Sequence, residues 1–114
     1  MVIGRRLYGA NPFGGYIDEF RLWNIALTDA DVLAHMNGEI CTPSNNLVLY
    51  YTMNDGLADG SNSNTTALTD QSGSNNGTLQ NFSLSGSSSN WTYGQNLSQT
   101  VYDTVVATAC SQYM

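Results

Sequence analysis

Residues 13–37 read FGGYIDEFRLWNIALTDADVLAHMN, and the order of polar and apolar residues in this stretch decides the fold class. The alternation within YIDEFRLWN predicts a β-strand, because successive side chains of a strand point to opposite faces. Asp18 has the parity of Phe20 and Leu22, so it is predicted to point inward with them. Glu19 and Arg21 share the other face, where we expect a surface ion pair that adds little stability.

A short helix with start and stop signals follows this strand, in the segment LTDADVLAHMNG. Thr28 is a favourable N-cap, and Asp31, three residues later, occupies the capping-box position. Gly38, after Asn37, is predicted to take the C′ position that ends the helix. Helical spacing places four apolar residues on one stripe, which is predicted to pack against a sheet. These residues are Leu27, Val32, Leu33 and Met36.

The rest of the chain is predicted to contain strands and loops and no further helix. The strongest strand is LVLYYTMN, residues 47–54, which is β-prone and apolar on both faces. It is the only strand hydrophobic enough to lie beside the strand that precedes the helix. Weaker strands are predicted at residues 2–8, 78–84 and 100–110, and residues 55–77 form a long loop rich in Gly, Ser, Asn and Thr. We therefore expect a mainly β fold with one short surface helix.

The composition limits the classes of protein to which this chain can belong. Its 114 residues suffice for one domain, and its net charge is -6, with three arginines, no lysine and nine carboxylates. Nucleic acid is therefore not expected as a partner, because phosphate binding needs clustered Lys and Arg. No apolar run approaches the roughly 20 residues of a membrane-spanning helix, and no signal peptide is visible. A surface made polar by Asn, Ser, Thr and Tyr predicts an extracellular protein, secreted or on the cell surface.

Cys41 and Cys110 are far apart in the sequence and match no metal-binding spacing. Two hypotheses stand level. The cysteines form a disulfide, within one chain or between chains, in an oxidising compartment, or they are two buried free thiols.

Residues 3–37, IGRRLYGANPFGGYIDEFRLWNIALTDADVLAHMN, resemble the carboxyl-terminal part of a laminin-G-like, concanavalin-A-like jelly-roll domain. The resemblance lies in I-G-R, the Gly-rich turn, G-x-I-D-E, the W-N pair, A-L and the short helix. The stretch LVLYYTMNDG…LTDQSGSNNGTLQNFSLSGSSSNW is similar to the segment that follows such domains in large bacterial surface proteins, and to the opening strand of the same fold. The resemblance implies an antiparallel β-sandwich in a Bacteroidetes-type, multi-module surface adhesin.

The resemblance also implies a division of the chain into three parts. Residues 1–40 correspond to the C-terminal strands and helix of the sandwich, and residues 41–97 to a β segment whose long loop packs on it. Residues 98–114 correspond to a terminal strand that starts a following module or is donated. Three alternatives follow. The chain is a fragment of a longer polypeptide, a short gene product that keeps the last strands as its own fold, or a subunit that completes its sheets with neighbouring copies.

Relatives of this fold imply a structural calcium bound by an acidic residue of the last strand, here Asp18. The other oxygen ligands would come from Asp70, Asn75 and Asn76, or from Asp55 and Asp59. Calcium takes roughly six to eight oxygen ligands, and loops rich in Asp, Asn and Gly supply them. The alternative is that these residues cap backbone N–H groups and form ordinary turns.

Catalysis is not expected. His35 is the sole histidine, and no nucleophile–base couple or catalytic carboxylate pair is evident, because strand alternation and helix capping explain the adjacent acids. The E-x-D-x-x-E signature of the related glucanases is absent.

Aromatic residues near turns predict ligand contacts. Tyr16, Trp91 and Tyr93 are candidates for stacking on sugar rings, with packing in the core or an interface as the alternative for Trp23 and Trp91. The chain is therefore predicted to be a non-catalytic extracellular adhesion or carbohydrate-binding module that binds a glycan or a matrix or surface protein. The alternative is a structural subunit that assembles into an extracellular filament by strand exchange, with Cys110 cross-linked to Cys41 of the next copy.

Overall fold

The computed structural model describes residues 1–8, 11–36 and 38–93. These residues form strands β1 (Phe20–Trp23), β2 (Leu47–Tyr51), β3 (Ala67–Leu68) and β4 (Gly77–Thr78) and one helix, α1 (Asp29–His35). β1 pairs with β2, and β3 pairs with β4, in two small antiparallel sheets. The expectation of a mainly β, antiparallel fold with one short helix is therefore confirmed at this level of detail.

The β1–β2 pair forms the centre of the molecule. Phe20 lies opposite Tyr51 and Arg21 opposite Tyr50, and a bulge at the end of β1 brings Trp23 opposite Leu47. The buried hydrophobic residues of the described chain all belong to β2: Leu47, Leu49, Tyr50 and Tyr51. The prediction that the most apolar strand lies beside the strand before the helix is confirmed, since β2 is the segment whose side chains have most to gain from burial.

The second sheet joins the first through the residues that follow β3. Tyr51 forms an isolated bridge with Asp70, and the N–H of Gln71 donates to the carbonyl of Tyr50 at 2.8 Å. β3 and β4 lie within or at the edge of residues 55–77, which were predicted as one long loop. Gly73, Asn75 and Asn76, of residue types that are depleted in strands, lie just before β4 and disfavour a longer strand there.

Two predicted strands are wrong. Residues 2–8 form no strand, and the only β contact there is an isolated bridge from Arg5 to Pro12, beside Gly4 with φ +83°. Within residues 78–84 only Thr78 belongs to a strand, because Asn81 and Leu84 have φ of 63° and 57°, which an extended strand cannot contain. The strand predicted at residues 100–110 lies outside the described residues.

The helix begins as predicted and ends differently. Thr28 and Asp31 form the predicted capping box, with reciprocal hydrogen bonds between their side chains and backbones. The helix ends at His35 with Met36 as C-cap, so Gly38 does not end it, and Asn37 lies outside the described residues. The apolar stripe does not pack on a sheet. Val32, Leu33 and Met36 are all exposed, and α1 has no buried residue.

No helix that is both long and apolar enough to cross a bilayer occurs among residues 1–8, 11–36 and 38–93.

Candidate functional site

Arg21 attaches the end of the helix to the central strands. Its guanidinium group donates hydrogen bonds to the carbonyl oxygens of His35 and Gly38 and to the carboxylate of Glu19. It also lies 5.0 Å from the centre of the Tyr50 ring, in a cation–π contact. Carbonyls at a helix C-terminus lack intrahelical partners and attract cations, so Arg21 performs the capping that was predicted for Gly38.

The Glu19–Arg21 pair is largely buried, which corrects the expectation of a surface ion pair. The side chain of Arg21 is 11% exposed and that of Glu19 is 25% exposed. The Tyr50 hydroxyl donates to Glu19 Oε2 at 2.6 Å and accepts the N–H of Ile40 at 3.0 Å. Burial raises the pKa of Glu19, against the lowering effects of the Tyr50 hydrogen bond and the Arg21 charge. Burial and the same hydrogen bond raise the pKa of Tyr50 to about 12. The polar groups of Glu19, Arg21 and Tyr50 are thus bonded to one another and to the end of the helix. They hold the helix beside β1, where the neighbouring pocket lies.

A pocket lies beside this cluster, between β1, the helix and the segment that leads to β2. Two rings are part of its lining, those of Trp23 and His35, which stack with centroids 5.4 Å apart and planes at 25°. The pocket has a volume of about 190 Å³. The residues that line it are Trp23, Ile25, Leu27, Asp31, His35, Ile40, Thr42 and Ser44.

The pocket combines aromatic and aliphatic walls with hydroxyl groups at its edge. Trp23 and His35 present flat surfaces, and Thr42 and Ser44 supply exposed hydroxyls that can donate or accept. The Asp31 carboxylate is committed to the helix N-terminus, because it accepts hydrogen bonds from the backbone N–H and the hydroxyl of Thr28, and these lower its pKa. Asp31 is therefore charged at neutral pH and fixed in position.

Sequence patterns offered packing for Trp23 and indicated no ligand role for His35, so they did not predict this pocket. A usable signal was present. Asp31 and His35 are four residues apart on a helix and therefore share a face. That face follows directly after the strand that carries Trp23.

The three aromatic residues predicted to bind ligands occupy different environments. Tyr16 and Tyr93 are 68% and 72% exposed. Trp91 is half-buried, its Nε1 donates to the carbonyl of Met53 at 2.8 Å, and a Cβ on Gly56 would lie 2.3 Å from its ring. Trp91 therefore packs within the molecule, as the alternative interpretation had it. Ligand contact by Tyr16, Trp91 and Tyr93 stays a prediction.

The predicted calcium ligands are brought together in part. Asp70 Oδ2 accepts the N–H of Asn75 at 3.1 Å, and the N–H of Asp70 donates to Asn76 Oδ1 at 3.0 Å. Asp18 is exposed, so the expectation that it points inward is wrong, and its Oδ1 accepts the N–H of Glu19. No group of three or more His, Cys, Asp and Glu suited to a metal ion occurs in the part of the chain that the structure describes. Calcium binding stays a prediction.

Of the alternative donors, Asp55 accepts two hydrogen bonds from Thr69, and Asp59 is exposed. Cys41 is not a free thiol in the structure. Cys110 lies outside the described residues, so the pairing of the two cysteines stays a prediction.

No protein-family model, curated protein or solved structure matches this chain. The resemblance of residues 3–37 to laminin-G-like domains therefore stays a prediction from the sequence.

Proposed function

We propose that this chain is a non-catalytic binding module for glycans, and that the pocket beside Trp23 and His35 receives one sugar ring. The observation that supports the proposal is the composition of this pocket. Sugar rings expose C–H groups on their faces and hydroxyls at their edges, so they bind where flat aromatic surfaces stand next to polar groups. A volume of about 190 Å³ is smaller than the pockets that bind drug-sized molecules, and it suits a single ring.

The non-catalytic part of the proposal rests on the state of the groups that line the pocket. Glycoside hydrolysis requires two carboxyl groups, one of which must hold a proton. Asp31 is the one carboxylate in the lining, and its lowered pKa disfavours proton donation at neutral pH.

The finer assignment of fold and setting belongs to the same proposal. We propose that β1, α1 and β2 belong to a jelly-roll sandwich of an extracellular surface protein, in keeping with the resemblance over residues 3–37. The partners would be glycans or glycosylated surface proteins. The predicted division into residues 1–40, 41–97 and 98–114 remains part of this proposal.

Glycan-array binding of the full chain tests this function. We expect the wild-type chain to bind a subset of glycans and the Thr42→Val/Ser44→Ala double variant to lose that binding, because both hydroxyls are exposed and their removal leaves the core intact. Trp23→Ala should lose it too. Phe82→Ala, a change to an exposed aromatic residue outside the pocket, serves as the control and should bind normally.

An EDTA arm in the same experiment tests the predicted calcium. Binding that survives EDTA and depends on Thr42 and Ser44 assigns recognition to the pocket alone. Failure of the wild-type chain to bind any glycan, with and without calcium, would refute the proposal.

A second candidate function is a structural subunit that assembles with copies of itself. It is favoured by the exposed side chains of Val32, Leu33 and Met36, which form an apolar helix face. β1 also has one neighbouring strand among the described residues, and this function would use its other edge for strand addition.

A further inference from the structure

Two of the three basic residues of this acidic protein lie at one concavity. Arg5 and Arg6 line an open depression of about 470 Å³ together with Asn11, Phe13 and Ile17. The third base, Arg21, is fully engaged with the helix end and Glu19. The positive charge that remains available is therefore concentrated at this depression.

Backbone contacts hold the depression in shape. The N–H of Phe13 donates to the carbonyl of Gly4 at 2.7 Å, and Arg5 bridges to Pro12 across the same turn. The Phe13 ring lies over Gly15, where a Cβ would come within 2.9 Å of the ring. A side chain at position 15 would therefore require the Phe13 ring to shift.

Neither guanidinium group of Arg5 and Arg6 has a hydrogen bond or an ion pair within residues 1–8, 11–36 and 38–93, and both residues are exposed. Guanidinium groups bind carboxylates through paired N–H donors. Phe13 and Ile17 add an apolar wall, which an inorganic anion would not use.

We propose that this depression binds the carboxylate of a small organic acid, with Arg5 and Arg6 pairing with the carboxylate and Phe13 and Ile17 contacting the carbon skeleton. Asn11 adds an amide that can donate to or accept from a polar substituent. This site shares no lining residue with the Trp23–His35 pocket, so it does not depend on the glycan-binding function.

Titration of the ¹⁵N-labelled full chain, followed by NMR, tests the site. The probes are hexanoate with hexanol as its uncharged counterpart, and D-glucuronate with D-glucose. We expect at least one acid to shift the amide signals around Arg5, Arg6 and Phe13, more strongly than its uncharged counterpart and less strongly at high salt. Which acid binds shows whether the natural ligand is an alkyl acid or a sugar acid.

The decisive variant is Arg5→Gln/Arg6→Gln, which should weaken binding of the acid by about tenfold or more, because two charged hydrogen-bonding groups are lost. The matched control is Ser63→Asp/Ser87→Asp, which makes the chain more negative by the same two charges at exposed positions elsewhere. It should bind as the wild type does. Phe13→Ala should weaken the binding of hexanoate, although both arginines are still present.

Three results would contradict the proposed carboxylate site. They are no response to either acid, equal binding of an acid and its uncharged counterpart, and an equal weakening of acid binding in the arginine variant and the control.

Discussion

The buried carboxylate of Asp70 organises the chain between β3 and β4. Its Oδ1 accepts the N–H of Tyr50 at 3.0 Å and both the N–H and the hydroxyl of Ser72, and its Oδ2 accepts the N–H of Asn75. Burial acts to raise the pKa of Asp70, but these hydrogen bonds outweigh it, so the pKa is lowered. A residue predicted as a calcium ligand thus fixes a turn to the central strand.

Asp70→Asn should destabilise the fold by about 2 kcal/mol at neutral pH, because charged hydrogen bonds are lost and one acceptor becomes a donor. The lowered pKa means that the contribution of Asp70 is complete above its unfolded value of 3.8 and is lost as pH falls through the folded value. Urea unfolding at pH 7 and at successively lower pH should therefore show the variant and the wild type converging in acid.

Asp59→Asn is the control for Asp70, since Asp59 is exposed and Asn tolerates its positive φ of 53°. Equal losses of stability in the two variants would contradict the role given to Asp70.

Gly56→Ala should destabilise the fold by roughly 1 to 3 kcal/mol, because the new methyl group would overlap the Trp91 ring. Gly14→Ala, where no atom lies within 4 Å of the added Cβ, should be near neutral. Thermal unfolding measures both changes, and near-UV circular dichroism should show an altered Trp signal in Gly56→Ala alone.

The helix is held by its end and not by its apolar stripe. Arg21 reaches two carbonyls at its C-terminus, and His35 stacks on Trp23. Sequence patterns predicted where the helix begins, because Thr28 and Asp31 are local neighbours whose capping chemistry needs no tertiary contact. They did not predict how it ends, because Arg21 lies on a different element and reaches His35 only in the folded chain.

Arg21→Met should destabilise the fold by about 3 kcal/mol, because it leaves the buried Glu19 carboxylate without its cation. Amide hydrogen exchange of Arg21→Met, compared with that of the wild type, should be accelerated more in α1 than in β2. In the Arg21→Met/Glu19→Gln double variant the loss should be smaller than in Arg21→Met alone, since no unpaired buried charge remains. Arg6→Gln removes an exposed positive charge and should leave exchange in α1 unchanged.

Hydrophobic content predicted the pairing of β1 with β2 but not the extents of the weaker strands. Leu47, Leu49 and Tyr51 gain from burial whatever surrounds them, so their strand could be identified from sequence. The segments at 2–8 and 78–84 contain β-prone residues whose positions are decided by local backbone, such as the positive φ at Asn81 and Leu84. The Trp23–His35 pocket depends on the same tertiary docking of the helix, which is why residue types alone did not reveal it.

At the scale of the whole molecule, the residues that the structure describes bury few apolar side chains and expose many. Their buried hydrophobic residues lie on β2, while the helix face at Val32, Leu33 and Met36 is open to solvent. Small cores give marginal stability, and exposed apolar faces favour association.

Sedimentation velocity over a range of concentrations should therefore show association of the wild-type chain. Leu33→Ser/Met36→Ser should shift it toward the monomer without loss of helix content, because both side chains are exposed. Non-reducing gels of the same samples report whether cysteines join the chains. A wild-type chain that remains monomeric at every concentration would contradict self-assembly.

The contacts of Arg21 also determine how readily trypsin cleaves this chain after each arginine. Trypsin cleaves after basic residues, and the chain has only Arg5, Arg6 and Arg21. The first two are exposed, whereas the third lies within β1 with its guanidinium group held by the helix end and Glu19. Cleavage after Arg21 therefore requires β1 to open. The rate of cleavage after Arg21, divided by the rate after Arg5 and Arg6, would measure the free energy of opening β1 without any label on the protein.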